Sequence, residues 1–260
     1  MISSTSNSQV KFVSALAKKA KLRKTEDLFV VEGIKMFSEL PRANVKKVYV
    51  SESFLKETKH KNLLDGISWE CVTDDVFKSM SDTQTPQGVL AVVKQFHYTM
   101  EDILNAEGPA LIMVLEAIQD PGNLGTIIRA GEGAGITGVI MSEGTADIYN
   151  PKTIRSTMGS IYRVPFVYAE DMDRAFEQLK EKKIRLFAAH LKGRGSYEQE
   201  DYSGNTGFLI GNEANGLSDK AAAWADTLIK IPMAGQVESL NAAVASSVLM
   251  FEAARQRRMN

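Results

Sequence analysis

The 260-residue chain is poor in the residues that hold metals or form cross-links. Its one cysteine, Cys71, excludes an intrachain disulfide and a multi-thiolate zinc site. The three histidines, His60, His97 and His190, lie far apart in the sequence, so we expect no bound metal. No apolar run approaches the roughly 18 residues of a membrane span, and the first residues lack the apolar stretch of a secretory signal. The composition therefore predicts a globular, cytoplasmic protein that does not bind membranes.

Several nucleotide and hydrolase motifs are also missing. The sequence has no G-x-x-x-x-G-K-[ST] phosphate loop and no G-x-S-x-G nucleophile elbow. Gly131, Gly133 and Gly135 follow a predicted helix rather than a strand, so we interpret them as its C-terminal stop and not as a dinucleotide-binding turn. These absences argue against kinase-like, dinucleotide-dependent and hydrolase activities.

Charge is balanced overall but unevenly distributed. The net charge is -1, which excludes an overall basic nucleic-acid coat protein, yet residues 1–100 carry 15 basic and 11 acidic side chains. The first 24 residues hold six basic residues and no acidic one. Residues 10–21 are predicted to be an amphipathic helix whose inward face is Phe12, Val13, Leu16 and Ala20. The basic face is either simply solvated or contacts phosphates, and both can hold on one helix.

Alternating strand and helix patterns predict two α/β domains. Short β-branched runs at 28–31, 45–50, 69–72 and 88–93 alternate with helical stretches in the first hundred residues. Apolar density falls over 94–108, and we place the boundary there, between domains 1–100 and 108–260. The second domain repeats the rhythm more strongly, and its run 110–115 is typical of a strand buried on both faces. We expect a mostly parallel sheet with helices on both sides.

The first of three candidate site segments spans residues 115–130, where a buried strand ends in a Pro-Gly turn. Asn123 is expected near the start of the following helix, where its side chain can cap backbone N–H groups. Arg129 lies six residues further on, inside that helix. Taken alone, this pattern also fits a structural cap followed by a surface arginine.

Two further segments place polar residues after predicted strands. In the second, a strand runs into a glycine-rich loop that carries Glu213, and Gly211 would let backbone approach a ligand closely. In the third, a polar loop leads into a long C-terminal helix that Ser239 and Asn241 open. Open α/β sheets bind ligands at the carboxyl ends of their strands, so the three segments together predict a binding site there.

Together, the three segments resemble the SpoU (TrmH-type) family of RNA ribose 2′-O-methyltransferases. The resemblance spans roughly residues 110–257, with Gly131 where the first motif commonly has alanine. The matching residues are Asn123, Gly125, Arg129 and Gly131; then Gly211, Asn212, Glu213 and Gly216; then Ile231, Pro232, Met233, Gly235, Ser239, Leu240 and Asn241. Residues 150–160 resemble another family segment, and the stretch Phe-Val-Val-Glu-Gly at 29–33 resembles the opening of its ribosomal-protein-like RNA-binding domain.

The resemblance implies a fold, a cofactor and an assembly. The C-terminal α/β domain would contain a deep trefoil knot and bind S-adenosylmethionine, with no metal. Backbone groups near Gly211, Ile231, Met233 and Leu240 would hold the adenosine. The protein would be a homodimer formed through the C-terminal domain.

The resemblance also implies a catalytic set comprising Arg129, Asn123, Glu213, Ser239 and Asn241. In the family, the residue at Arg129 activates the ribose hydroxyl. Arginine is effectively always protonated in proteins, so a cationic role, in which it binds a flanking phosphate and stabilises the developing alkoxide, stays open beside that of a base. Action of Arg129 across the dimer interface stays open as well.

The N-terminal resemblance favours structured RNA as the substrate, ribosomal RNA before transfer RNA. A transfer RNA methyltransferase, or a non-catalytic RNA-binding or ribosome-assembly factor on the same scaffold, are the alternatives. The candidate phosphate contacts are Lys11, Lys18, Lys19, Arg23 and Lys152. Trp69 and Trp224 are expected in the core rather than as base-stacking platforms.

Overall fold

The computed structural model describes residues 1–193 and 195–259. The chain forms two compact units. The first unit contains Met1–Phe96 and Asp147–Tyr162, and the second contains His97–Ala146 and the described residues from Arg163 onward. Residues 147–162 thus group with the first unit, although they lie within the predicted second domain. The domain bounds 1–100 and 108–260 themselves stay a prediction.

Helices and strands alternate along most of the chain. The helices are α1 (Ser8–Lys18), α2 (Ala20–Glu26), α3 (Ile34–Ser38), α4 (Glu52–Lys56), α5 (Asp74–Met80), α6 (Met100–Leu104), α7 (Pro121–Ala134), α8 (Pro151–Thr157), α9 (Met172–Glu181), α10 (Asp219–Ala222) and α11 (Ala242–Met259). The strands are β1 (Leu28–Glu32), β2 (Val45–Ser51), β3 (Trp69–Val72), β4 (Val89–Lys94), β5 (Leu111–Leu115), β6 (Gly138–Met141), β7 (Phe166–Tyr168), β8 (Arg185–Ala189), β9 (Gly195–Ser196), β10 (Thr206–Ile210) and β11 (Thr227–Lys230). No helix in the described ranges is long and apolar enough to cross a bilayer.

The first unit is built on a four-stranded sheet in the order β1-β4-β2-β3. Strand β4 is antiparallel to both neighbours, while β2 and β3 are parallel. One core cluster joins α1 to α5 through side chains such as Val13, Leu16 and Phe77, all at most 1% exposed. The first hundred residues thus form the small α/β layer that the apolar runs predicted.

The predicted helix over 10–21 is interrupted. Lys19 has extended backbone angles (φ -114°, ψ 105°), so α1 ends before it and α2 begins after it. Val13 and Leu16 are buried as predicted, but Ala20 is exposed, because the break at Lys19 changes the helical phase and Leu22 packs against the core instead. Trp69, also expected in the core, is 41% exposed at the start of β3, an edge strand.

The second unit is built on a seven-stranded sheet in the order β7-β6-β5-β10-β8-β11-β9. All its described pairings are parallel, and every residue of β5 and β10 is buried. Helix α9 covers one face, where Phe176 and Leu179 join the core cluster. Helices α7 and α11 pack together, and α11 also contacts β10. The predicted α/β class with a mostly parallel sheet is confirmed.

Candidate active site

The three polar segments meet at one edge of the seven-stranded sheet. Strands β5, β10 and β11 run parallel, and the loop after each leaves from the carboxyl end of its strand. Loops on this edge bind ligands in open α/β folds because strand ends and helix N-termini converge there. The geometry between the loops shows which motif residues come together.

Asp120, not Asn123, caps helix α7. The Asp120 side chain accepts a hydrogen bond from the Asn123 backbone N–H at 2.9 Å, and Pro121 occupies the first helical position. The expectation that Asn123 caps the helix is therefore wrong, because the helix already begins at Pro121, two residues before Asn123. An aspartate directly before a proline is itself a helix-start signal that could have located the cap. The side-chain amide of Asn123 therefore does not cap the helix and is directed toward the loop after β10.

Asn123, Glu213 and Asn241 form a continuous hydrogen-bonded chain. The Asn123 amide Nδ2 donates to Glu213 Oε1 at 3.0 Å, and the Asn241 amide Nδ2 donates to Asn123 Oδ1 at 3.0 Å. Asn241 also begins α11, where its Oδ1 accepts from the Ala243 N–H at 2.9 Å. One residue from each motif thus contributes to a single network, across sequence separations of 90 and 118 residues.

The Glu213 carboxylate is also held by backbone. It accepts from the N–H of Gln119 at 3.1 Å and from that of Asp120 at 3.2 Å. Burial alone would raise the pKa of Glu213, but the hydrogen bonds, that from Asn123 first, outweigh it and hold the pKa below 4.5. Glu213 is therefore ionised at neutral pH and ties the β10 loop to the turn before α7.

Residues outside the predicted site fix the Glu213 loop at its ends. Glu116, the first residue after β5, accepts from the backbone N–H of Ser218 at 2.7 Å and from its hydroxyl at 2.6 Å. The Asn212 amide donates to the carbonyl of Ala117 at 2.8 Å. Ala117 itself has a left-handed backbone conformation (φ +52°), which costs energy in a non-glycine residue. Glu116 was missed because its partner is 102 residues away.

Gly211 is required by the loop's own packing. A Cβ atom there would overlap the backbone of Gly216 and Leu217, where the loop returns to pair with Asn212. A glycine at 211 was expected so that backbone could approach a ligand, whereas in the structure the close neighbour is the same chain. The contribution of Gly211 to cofactor binding stays a prediction.

Arg129 and Ser239 stand apart from the Asn123–Glu213–Asn241 network. Both side chains are exposed, and neither makes a hydrogen bond or ion pair within the described residues. Arg129 lies on α7 six residues after Asn123, about 9 Å further along the helix axis. Of the five predicted catalytic residues, the structure therefore joins three and leaves Arg129 and Ser239 directed to solvent.

The loop between β11 and α11 has a surface that fits adenosine. Ile231, Met233 and Leu240 are all partly exposed. The backbone of residues 233–240 makes no hydrogen bond within the described chain, so its N–H and C=O groups are available. Apolar side chains beside unpaired backbone groups suit a flat base with a hydrogen-bonding edge. No cluster of three or more metal-ligating side chains occurs among the residues described.

The candidate phosphate contacts separate into two kinds. Lys11, Lys18, Lys19 and Lys152 are exposed. Arg23, by contrast, is 3% exposed, pairs with Asp147 at 2.6 Å and donates to two carbonyls of α1. This buried position is a structural one and does not fit the expected contact with phosphate. Trp224 packs against Phe176 as a core residue would, with its indole N–H bonded to Asp173 at 3.2 Å.

A parallel α/β sheet whose carboxyl edge brings the three motifs together is the arrangement that the resemblance to the SpoU methyltransferases predicted. The model of the SpoU rRNA methylase family matches residues 110–251. A second model, the MRM3-like substrate-binding domain, matches residues 7–91. The chain belongs to the SpoU rRNA methylase family, and the resemblance drawn from the motifs is confirmed.

Several relatives match almost the whole chain. It is 32% identical over 96% of its length to the 23S rRNA (guanosine(2553)-2′-O)-methyltransferase RlmP of Bacillus subtilis, of which it covers 97%. Among solved structures, the SpoU methyltransferase AviRb of Streptomyces viridochromogenes with AdoMet matches with a TM-score of 0.87 and 27% identity, over 97% of this chain and 98% of that one. An AdoMet-bound rRNA methyltransferase of Sinorhizobium meliloti matches with a TM-score of 0.83 and 31% identity, over 98% and 97%.

Proposed function

We propose that this protein transfers a methyl group from S-adenosylmethionine to a ribose 2′-hydroxyl of ribosomal RNA. The observation that carries the proposal is the Asn123–Glu213–Asn241 network, in which all three family motifs meet at the carboxyl edge of the sheet. Relatives named as 23S rRNA 2′-O-methyltransferases support both the reaction and the class of RNA.

Residues of the three loops would hold the cofactor. Ile231, Met233 and Leu240 would enclose the adenine, with Gly211 and the unpaired backbone of 233–240 beside it. When bound, S-adenosylmethionine supplies a methyl group on a positively charged sulfur, which is a good leaving group. The Glu213 network would hold the three loops in fixed positions relative to one another. Each of its hydrogen bonds either joins two loops or caps the helix that follows a loop.

We assign Arg129 to the substrate rather than to the network. Its exposed guanidinium is available to bind the phosphate beside the target ribose and to stabilise the alkoxide that develops as the hydroxyl loses its proton. Ser239, exposed in the loop that leads to α11, would contact the same ribose. The deep trefoil knot belongs to this proposal as a property of the family.

We further propose a homodimer through α7 and α11. Val244 is 49% exposed and Phe251 is 47% exposed, and the two lie seven residues apart on one face of α11. Gly133 of α7 lies beside Phe251. Exposed apolar side chains at helical spacing suit a helix-packing interface. Arg129 is exposed on α7 and would act in the partner's site.

The first unit would bind the RNA, and a ribosomal substrate would place the protein in the cytoplasm. The substrate-binding domain model over residues 7–91 supports this division of labour. The exposed Lys11, Lys18 and Lys19 supply positive charge for phosphates, which dominate RNA affinity.

Cofactor binding and methyl transfer test the proposal directly. Calorimetric titration with S-adenosylmethionine is expected to show micromolar-range binding that Leu240→Arg abolishes and Arg129→Ala preserves. Tritiated cofactor with 23S, 16S or transfer RNA transcripts is then expected to label 23S rRNA at an alkali-resistant linkage, and Arg129→Ala to remove the label. Absence of cofactor binding, with and without RNA, would refute the enzyme and favour an RNA-binding factor.

Mixed dimers test whether Arg129 acts across the interface. In a dimer of one Arg129→Ala chain and one Leu240→Arg chain, the first chain keeps its cofactor pocket and the second keeps its arginine. Such a dimer has a complete active site only if the arginine of one chain acts in the pocket of the other. Activity regained on mixing two inactive variants supports action in trans. Persistent inactivity of a verified mixed dimer shows action within one chain.

A further inference from the structure

An exposed tryptophan opens the edge strand of the first unit. Trp69 pairs with Val48 of β2 on one side, and β3 is the outermost strand of its sheet. Within the described residues its indole N–H makes no hydrogen bond and no other ring packs against it. Tryptophan is usually well buried, and a large aromatic left on the surface with an unused N–H is typical of a binding surface.

A basic cavity is lined by the residues that directly precede Trp69 in the chain and by the start of β2, the strand that pairs with β3. It has a volume of about 280 Å³ and is lined by Arg42, Val45, Lys46, Asp65, Gly66, Ile67 and Ser68. Arg42 is held there by a 3.3 Å hydrogen bond from its Nη1 to the Asp65 carbonyl. Neither Arg42 nor Lys46 forms an ion pair within the described chain, and both are exposed. Two cations against one carboxylate leave this cavity positively charged.

We propose that Trp69, Arg42 and Lys46 form a contact site for an unpaired nucleotide of the RNA substrate, whose base stacks on Trp69 while Arg42 and Lys46 hold its phosphate. Unstacked bases of RNA loops are recognised by aromatic faces, and neighbouring cations bind the backbone. The positive cavity favours a polyanion over an apolar protein segment. The choice of RNA rests on the proposed function, whereas the site itself rests on the exposed indole and the unpaired cations.

Fluorescence of Trp69 reports binding in a Trp224→Phe background, because the chain has two tryptophans. Titration with an oligouridylate of about 12 nucleotides, and separately with 23S rRNA transcript, is expected to quench Trp69. In the native background, Trp69→Ala is expected to weaken oligonucleotide binding about tenfold, since stacking of one base is of that order. Trp69→Phe is expected to retain most of the affinity.

Salt dependence isolates the phosphate contacts. The double variant Arg42→Gln/Lys46→Gln is expected to lower the slope of log affinity against log salt by about one, because one phosphate contact is lost. Lys78→Gln/Lys94→Gln removes the same charge from exposed positions elsewhere in the unit and is the matched control. Variants at Trp69, Arg42 and Lys46 that bind RNA like this control would overturn the site. So would unchanged RNA binding with altered sedimentation of Trp69→Ala, which would identify a protein contact.

Methyl transfer, measured in parallel, separates this site from the proposed function. The variants are expected to raise the KM for RNA and leave the Kd for S-adenosylmethionine unchanged. If the wild-type protein transfers no methyl group but its RNA affinity still depends on Trp69, the activity is wrong and the site stands. If the wild-type protein methylates rRNA and the variants match it in KM and RNA affinity, the site is wrong and the activity stands.

Discussion

Replacing Glu213 by glutamine tests whether its carboxylate organises the loops. The carboxylate accepts three described hydrogen bonds, from the N–H groups of Gln119 and Asp120 and from the Asn123 amide. A glutamine has one acceptor oxygen, so either orientation of its amide sets an N–H group against another donor. Because the shape of the side chain is retained, any loss of stability is due to the missing acceptor oxygen and the missing negative charge.

The expected cost follows from the exposure of the site. A hydrogen bond to a charged group contributes about 1.5–3 kcal/mol when it is shielded from water. Glu213 is largely exposed, which reduces each contribution, so we expect a total loss of about 1–2 kcal/mol. For a chain of this size that corresponds to a fall in Tm of about 2–8 °C.

The difference in stability between wild type and Glu213→Gln is expected to depend on pH. Because the pKa of Glu213 is lowered below its ordinary 4.5 in the folded protein, its contribution is fully present above pH 4.5 and is lost as the pH falls through the folded pKa. Urea unfolding from pH 7 to pH 3 is expected to show a gap between wild type and Glu213→Gln that closes at the acid end. A gap that stays constant with pH, or one no larger than that for the exposed Glu181→Gln, would refute the reasoning.

Four further tests concern the residues that support the site. Gly211→Ala is expected to abolish S-adenosylmethionine binding in calorimetry, because the new Cβ overlaps the loop backbone. Glu116→Ala and Ser218→Ala are expected to couple by about 1 kcal/mol in an unfolding double-mutant cycle, and additive losses would contradict their hydrogen bonds. Ala117→Gly is expected to raise Tm slightly by relieving its left-handed backbone. Arg257→Met is expected to lower the free energy of unfolding, measured in urea, by about 2–4 kcal/mol, since its guanidinium serves four carbonyl groups.

Local patterns predicted the strands well because a buried strand is a run of consecutive apolar residues, which is visible in the sequence. The bounds of β1, β2, β3 and β4 agree to within one residue with the apolar runs at 28–31, 45–50, 69–72 and 88–93. Short elements outside such runs were missed, among them α5 and α6. Helix α6 lies within the stretch 94–108 that low apolar density marked as a linker, yet Thr99 and Asp102 form a capping box there. Caps of this kind need few apolar residues.

One error arose because a residue's partner is distant in sequence, and another because a local helix-start signal was overlooked. Arg23 fits a basic surface by its neighbours, but its partner Asp147 is 124 residues away, and that ion pair buries it. Asn123 was placed as a cap because the helix start was set by apolar spacing, which begins at Leu124, four residues after the true cap Asp120. The burial of Arg23 does not follow from the local sequence, since it depends on which segment the fold brings alongside. The start of α7, by contrast, is marked locally by the aspartate and proline at 120 and 121.

The geometry of helix α7 explains why Arg129 lies outside the hydrogen-bonded network of Glu213. Six residues turn an α-helix by about 600°, so Arg129 leaves the helix roughly 120° away from Asn123. Asn123 faces the β10 and α11 loops, where it is bonded to Glu213 and Asn241, and Arg129 consequently points elsewhere. A helix of 14 residues can thus hold the loops together with one face and offer a cation to the substrate with another. The first motif therefore has two roles, one for Asn123 in the loop network and one for Arg129 toward the substrate. A spacing of six residues places the two side chains on different faces of the helix, whereas a spacing of three or four would place them on the same face.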